Sequence, residues 1–202
     1  MIRMRKILIA TRNHHKFEEI RKILNLSVEF INLEDLGGKD LEIEETGKDY
    51  LTNAMMKARF YAEKFSIPAI ADDSGFEILS LGSLPGVMSA RFLEGFDYTR
   101  KMKWILKMMR NLDDRRARFI CCAVFYDPFE KILVGSIGSI EGTVAREIRG
   151  NKGFGYDPIF IPRGYERTFG ELPEDVKSTI SHRARAFRKL QKLLYGLFFE
   201  HT

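Results

Sequence analysis

Lys6-Ile7-Leu8-Ile9-Ala10 places a short unbroken apolar run behind a charge, the pattern of a strand buried on both faces. The polar stretch Thr11-Arg12-Asn13 follows, and Phe17, Ile20, Ile23 and Leu24 then recur at helical spacing before Val28 to Leu33 reads as a second strand. This β-α-β opening predicts an α/β fold with a parallel strand pair. From Tyr50 to Phe65, Leu51, Ala54, Met55, Ala58, Tyr61, Ala62 and Phe65 trace one face of a helix of about four turns. Pro68-Ala69-Ile70-Ala71 predicts a short buried strand that stops at Asp72-Asp73-Ser74-Gly75, which puts two carboxylates at a strand end.

Further along, Pro85 and the glycines between Leu81 and Phe96 mark loops, and Trp104, Ile105, Met108, Met109 and Leu112 return to helical spacing. Arg118 to Tyr126 and Lys131 to Ile140 predict two strands joined by Asp127-Pro128-Phe129-Glu130, a hairpin by its turn residues. An antiparallel part therefore joins the parallel start, and the expected architecture is a mixed β-sheet with flanking helices. A last helix is predicted from near Ser181 to about Leu194, on Ala184, Phe187, Leu190, Leu193 and Leu194. No internal repeat or linker divides residues 1–202, so one domain is expected.

Composition narrows the class. A chain of 202 residues that is 45% hydrophobic and 30% charged has the makings of a real core and excludes a disordered or fibrous protein. The basic start, Met1 to Lys6, precedes an apolar run too short for a secretory signal or a membrane span. Cys121 and Cys122 are adjacent in an apolar run, without metal or redox spacing, and read as buried thiols in a reducing cytoplasm. The net charge of +5 is compatible with an anionic partner, yet it does not choose between a nucleotide, a nucleic acid and mere solubility.

Four segments carry candidate chemistry. Thr11-Arg12-Asn13-His14-His15-Lys16 joins the first strand to the first helix, where a hydroxyl, an amide and cations can meet an anion at a helix N-terminus; the plainer account is a helix cap with a solvated lysine. The Walker pattern is absent. Glu42, Glu44 and Glu45 precede the long helix, and with Asp72 and Asp73 they form an oxygen-rich set suited to Mg2+; a glutamate cluster at a helix start is also a favourable dipole interaction. Gly150-Asn151-Lys152-Gly153-Phe154-Gly155-Tyr156-Asp157 brings an aromatic face and a carboxylate onto a glycine-rich turn, as a base pocket or as a tight turn with both rings in the core. Lys177-Ser178-Thr179-Ile180-Ser181-His182-Arg183 collects three cations near a predicted helix start, for an anion or as a helix capped by Ser181.

Together these segments resemble the inosine triphosphate pyrophosphatase family. Six motifs occur in that family's order: T-R-N-H-H-K at Thr11 to Lys16, E-E-T-G at Glu44 to Gly47 followed by N-A-M-M-K-A, A-D-D-S-G at Ala71 to Gly75, L-P-G-V-M-S-A-R-F at Leu84 to Phe92, G-F-G-Y-D-P-I-F at Gly153 to Phe160 and K-S-T-I-S-H-R-A at Lys177 to Ala184. The resemblance implies Mg2+-dependent hydrolysis of ITP, dITP and XTP to the monophosphate and pyrophosphate. It also implies an elongated α/β fold of two lobes around a cleft, a homodimer in the cytoplasm, and neither nucleic acid nor membrane as partner. By the same resemblance, Thr11, Asn13, Lys16 and Lys57 bind the triphosphate, and Arg12, His14 and His15 are further substrate-binding residues. Glu45 and Asp73 hold the metal, Asp73 is also the general base, and Ser74 is a neighbouring substrate contact. Phe154, Gly155, Tyr156 and Asp157 form the base pocket, and Lys177, His182 and Arg183 close over base and phosphates. Arg12 stands where many members have glycine, and Phe169-Gly170 precedes Glu171-Leu172 where alanine is usual. A related pyrophosphatase for pyrimidine or other modified triphosphates, and a nucleic-acid-binding protein without catalysis, are the competing readings.

Overall fold

The computed structural model of the chain describes residues 6–198; the basic segment Met1 to Arg5, which bears on the reading of the N-terminus, lies outside the described residues. Among the described residues seven strands form one mixed sheet: β1 (Lys6–Ile9), β2 (Glu29–Ile31), β3 (Ala69–Ile78), β4 (Leu84–Gly86), β5 (Arg116–Tyr126), β6 (Leu133–Val144) and β7 (Phe160–Pro162). Five α-helices accompany them: α1 (His14–Ile23), α2 (Tyr50–Phe65), α3 (Tyr98–Met108), α4 (Glu174–Ile180) and α5 (His182–Phe198). The strand order is β2-β1-β3-β5-β6-β7, with β4 paired to β3. β1 runs parallel to both β2 and β3, so the expected parallel opening is present, while β3–β4 and β6–β7 are antiparallel. Among the described residues no helix is long and apolar enough to cross a membrane.

Local chemistry explains where the helices start. Asn13, Asp49 and Asp97 each occupy an N-cap with extended backbone, and their side chains accept from the N–H of Lys16, Thr52 and Arg100. α2 spans the predicted residues and ends at Ser66 in the left-handed region. The β5–β6 turn is held by Asp127, whose Oδ1 accepts from the N–H of Phe129 and Glu130 at 2.9 and 3.3 Å.

Three expectations are corrected. β3 does not stop before Asp72; it continues for ten residues through both aspartates to Ile78. Each buried carboxylate along it has found partners, including Glu77, which accepts from Arg118 Nε at 2.7 Å, so none needs a loop's exposure to water. The last helix extends past Leu194 to Phe198 and is preceded by α4, a separate short helix whose C-cap is Ser181. Lys177 therefore lies in the last turn of α4, where the dipole favours a cation, and not at a helix start.

By its contacts the chain divides into two units. The first draws on residues up to Asp73, on Cys121–Gly138 and on the chain from Arg183 onward. Its core joins Ile7, Ile9, Ile20, Ile70, Cys121, Ala123, Phe125, Phe187 and Leu190. Both cysteines are buried and free. The second unit draws on Ser74–Ile120 and Ser139–His182, and its core is largely aromatic, with Phe76, Phe119, Tyr156, Phe160 and Phe169 in mutual contact. Ring pairs of this kind add about 0.5–1.5 kcal/mol each beyond the area that they bury.

Gly142 makes the β6–β7 pairing possible. It lies opposite Pro162, and a Cβ there would sit 2.1 Å from the Ile161 carbonyl oxygen and 2.7 Å from the Phe160 ring. Gly142→Ala is expected to lower stability by about 2 kcal/mol or more, because backbone must move. Urea denaturation checks this through a reduced midpoint at unchanged slope.

Candidate active site

Successive side chains on a strand point to opposite faces, and β3 uses this to give its two aspartates different partners. Asp72 meets Lys16 of α1, with Nζ 3.2 Å from Oδ2, and Arg183 of α5, with Nη2 3.3 Å from the same oxygen. Arg183 Nη1 also donates to Glu19 Oε2 at 2.6 Å. Asp73 meets α2: Asn53 Nδ2 donates to its Oδ2 at 3.0 Å, and Lys57 Nζ lies 3.8 Å from its Oδ1 and 3.1 Å from Glu45 Oε1. Asn53 and Lys57 are four residues apart on α2, which sets both on one face. The backbone at Gly47 passes so close to this face that a Cβ would lie 2.4 Å from Asn53 Oδ1.

The electrostatics separate the pair further. Burial alone would raise both carboxyls. For Asp72, however, the charges of Lys16, Arg183 and Lys57 outweigh burial and hold the group well below the usual carboxylate range. Asp73 stays raised, because burial exceeds the help from Lys57, Lys16 and Asn53. One aspartate is thus a permanent anion that anchors cations, while its neighbour is a carboxylate of increased basicity, the property required of a general base. Two buried oxygens here, Asp72 Oδ1 and Asn53 Oδ1, have no hydrogen-bond partner among the described residues, so the first unit has acceptor capacity that a cation or a polar ligand can use.

The loop before α1 is exposed. Thr11 Oγ1 accepts from the Asn13 N–H at 3.2 Å, and Asn13 Oδ1 accepts from the Lys16 N–H at 3.2 Å. Arg12 pairs with Glu42, and the rings of His14 and His15 meet edge to face. The capping account of Asn13 holds, and Lys16 has a buried partner in Asp72.

The second unit contains a separate cluster. Asp157, 2% exposed, accepts from Lys177 Nζ at 2.7 Å and from the Phe154 N–H at 2.8 Å. The turn depends on Gly153, with φ +70° and no room for a Cβ beside Asp157 Oδ2. Lys177 Nζ also lies 4.6 Å from the centre of the half-buried Phe154 ring. Tyr156, by contrast, is in the core, stacked on Phe76 and donating its hydroxyl to the Ser89 carbonyl at 3.0 Å; burial pushes its phenol up. His182 is buried as well, its ring stacked on Phe119 at 4.7 Å and 11°.

Residues 7–193 match the Ham1 family, a span that contains all six motifs. The chain belongs to the Ham1 family. It is 40% identical over 200 residues to the dITP/XTP pyrophosphatase of Aquifex aeolicus, covering 94% of this chain and 96% of that one. It is 43% identical over 193 residues to the dITP/XTP pyrophosphatase of Dictyoglomus thermophilum, covering 94% of each. The solved HAM1 protein of Coxiella burnetii has the same fold, with a TM-score of 0.87 at 35% identity, over 96% of this chain and all of that one (100%).

Within this Ham1 chain, the structure brings together Lys57, Glu45 and Asp73 in the first unit, with Lys16 on the adjacent Asp72, and Phe154, Asp157 and Lys177 in the second. Arg183 is engaged with Asp72 and Glu19, and only 2% of its surface is exposed. Sequence reasoning gave no role to Asn53 or Glu19. Both carried a signal: Asn53 stands four residues before Lys57 on a helix face otherwise lined by Tyr50, Ala54, Ala58 and Tyr61, and Glu19 stands three residues after Lys16.

Because Asp72 is depressed in the folded state, its ion pairs stabilise the fold above the unfolded-state value of about 3.9. That stabilisation is lost as pH falls from there towards the folded-state value. Asp72→Asn is expected to flatten this acid limb and, by leaving the buried Arg183 with Glu19 as its remaining acidic partner, to cost about 3–5 kcal/mol at neutral pH. Urea midpoints of the two proteins from neutral pH down to about pH 3 check both effects.

Proposed function

We propose that this chain is a nucleoside triphosphate pyrophosphatase that hydrolyses dITP, XTP and ITP to the monophosphate and pyrophosphate. The observation that carries the reading is the pairing of Asp73, buried and of raised basicity, with Lys57 and Glu45. The names of the relatives, dITP/XTP pyrophosphatase, support the substrate class. The reading also takes the enzyme to be a cytoplasmic homodimer, in keeping with its two buried free thiols.

Attack on a phosphoanhydride requires neutralised phosphate charge, a positioned water and a base for its proton. In this reading Lys16 and Lys57 take phosphate oxygens, with Thr11, Arg12, Asn13, His14 and His15 along the α1 entrance, Ser74 beside them, and Asp73 receives the water's proton. Phe154, Gly155, Tyr156 and Asp157 shape the base pocket, in which Tyr156 supports the turn from the core. Lys177 and His182 border the base, and Arg183 positions Asp72.

Among the described residues no set of three or more His, Cys, Asp or Glu forms a metal cage. Two carboxylates, Glu45 and Asp73, beside a buried unpartnered amide oxygen still fit Mg2+, which usually takes one or two carboxylates and completes its shell with substrate phosphate and water. Mg2+ held by Glu45 and Asp73 would neutralise charge on the triphosphate as it develops.

The deciding experiment measures pyrophosphate release from ITP, dITP, XTP, ATP, GTP and dTTP, with Mg2+ and with EDTA. Release from the first three that disappears with EDTA is expected; preference for dTTP, or turnover in EDTA, overturns the reading. Asp73→Asn is expected to keep substrate binding and to lower kcat by about 100-fold or more. His182→Ala is expected to narrow the kcat/KM ratio of ITP to ATP, a ratio that a purely structural effect on both substrates leaves alone.

A further inference from the structure

Away from both clusters, the second unit has a cavity of about 450 Å³ lined by Lys103, Leu106, Lys107, Arg110, Arg115 and Arg146. Five of these six residues are cations and none is an acid. Among the described residues, no ion pair engages any of the five. Asp114, next in sequence to Arg115, is held by Arg116 at 2.9 and 2.8 Å.

Helix-end electrostatics account for only part of this. Lys107 lies in the last turn of α3, and Arg115 Nη1 donates to the carbonyl of Met109 at 3.1 Å, so both answer the negative end of that helix. Arg115 is fixed by two more bonds, from Nε to Val144 O at 2.7 Å and from Nη2 to Ala145 O at 2.6 Å. These three carbonyls are neutral and leave two guanidinium hydrogens and the whole charge unanswered. Arg146 comes from a different segment, the chain after β6, and its charge together with burial lowers the basicity of Arg115, burial being the larger effect. A fold gains nothing by gathering five cations from α3, the segment between α3 and β5 and the chain after β6 around a concavity, since like charges repel.

We propose that this cavity is a second anion site, which takes a compact polyphosphate, either free pyrophosphate or the phosphate tail of a nucleotide. Its volume is in the small-ligand range of about 300–1,000 Å³, and arginine guanidinia bind phosphate oxygens in pairs. No aromatic residue lines it, whereas a single-stranded nucleic acid would require stacking platforms.

Titration calorimetry of the full chain with inorganic tripolyphosphate, free of divalent metal, tests the site without depending on turnover. Two binding processes are expected. Lys107→Glu combined with Arg146→Glu, both at exposed positions, should weaken one process by roughly tenfold or more and leave pyrophosphate release unchanged. Lys103→Gln with Arg110→Gln, a milder change, should weaken the same process, and Lys16→Ala should spare it. Parallel titrations with pyrophosphate and with a triphosphate bearing a methylene in place of its α–β bridging oxygen separate the two sources: whichever shows the charge-sensitive process is the ligand. Unchanged tripolyphosphate binding by both double variants overturns the proposal. Tighter charge-sensitive binding of a single-stranded oligonucleotide than of tripolyphosphate overturns it too, in favour of a nucleic-acid surface.

Discussion

Two carboxylates on adjacent residues of a buried strand would repel each other and, unpaired, would cost more than the strand gains by being there. β3 avoids this by its pleat, which directs Asp72 towards Lys16 and Arg183 and Asp73 towards Asn53 and Lys57. The rest of the first unit follows from that division. α1, α2 and α5 each bring a side chain to one of the aspartates, so the helix positions are tied to a charge balance as well as to the packing of Ile20, Ala58 and Phe187. The outcome is chemical asymmetry between neighbours: Asp72 is locked as an anion, and Asp73 is left with enhanced proton affinity.

The second unit repeats the motif of a buried carboxylate met by a lysine, with a different purpose. Asp157 holds Lys177 and also ties down the backbone of its own glycine-rich turn through the Phe154 N–H. The lysine is thereby fixed against the Phe154 face. A half-buried ring with a cation held over one face keeps its other face for stacking a planar partner.

Much of this was legible in the chain. The spacing of Ala54, Ala58, Tyr61 and Ala62 located α2, and turn residues located the β5–β6 hairpin, because periodicity and turn chemistry are local properties. The end of β3 was misread because Asp-Asp-Ser-Gly looks like a loop to any local rule; only partners distant in sequence, Lys16, Lys57 and Arg183, make those residues tolerable in a strand. The division between α4 and α5 is hidden for a different reason: a helix of seven residues before Ser181 leaves too little periodicity to be seen. Tyr156 shows the limit from the other side: its motif is evident, yet whether its ring faces a ligand or the core depends on Phe76 and Ser89.

Arg183 is the guanidinium that completes the balance around Asp72, and it begins the last segment of the first unit. Synthesis from the N-terminus therefore makes α1, α2 and β3 long before the residue that compensates their buried anion. Until α5 has emerged, the nascent first unit lacks its second cation and the apolar face of Ala186, Phe187 and Leu190. Its consolidation is a late event in the life of the chain, and a ribosome that stalls a few codons before position 183 releases a product whose Asp72 lacks its arginine and keeps Lys16 as its ion-pair partner, with the charge of Lys57 farther off.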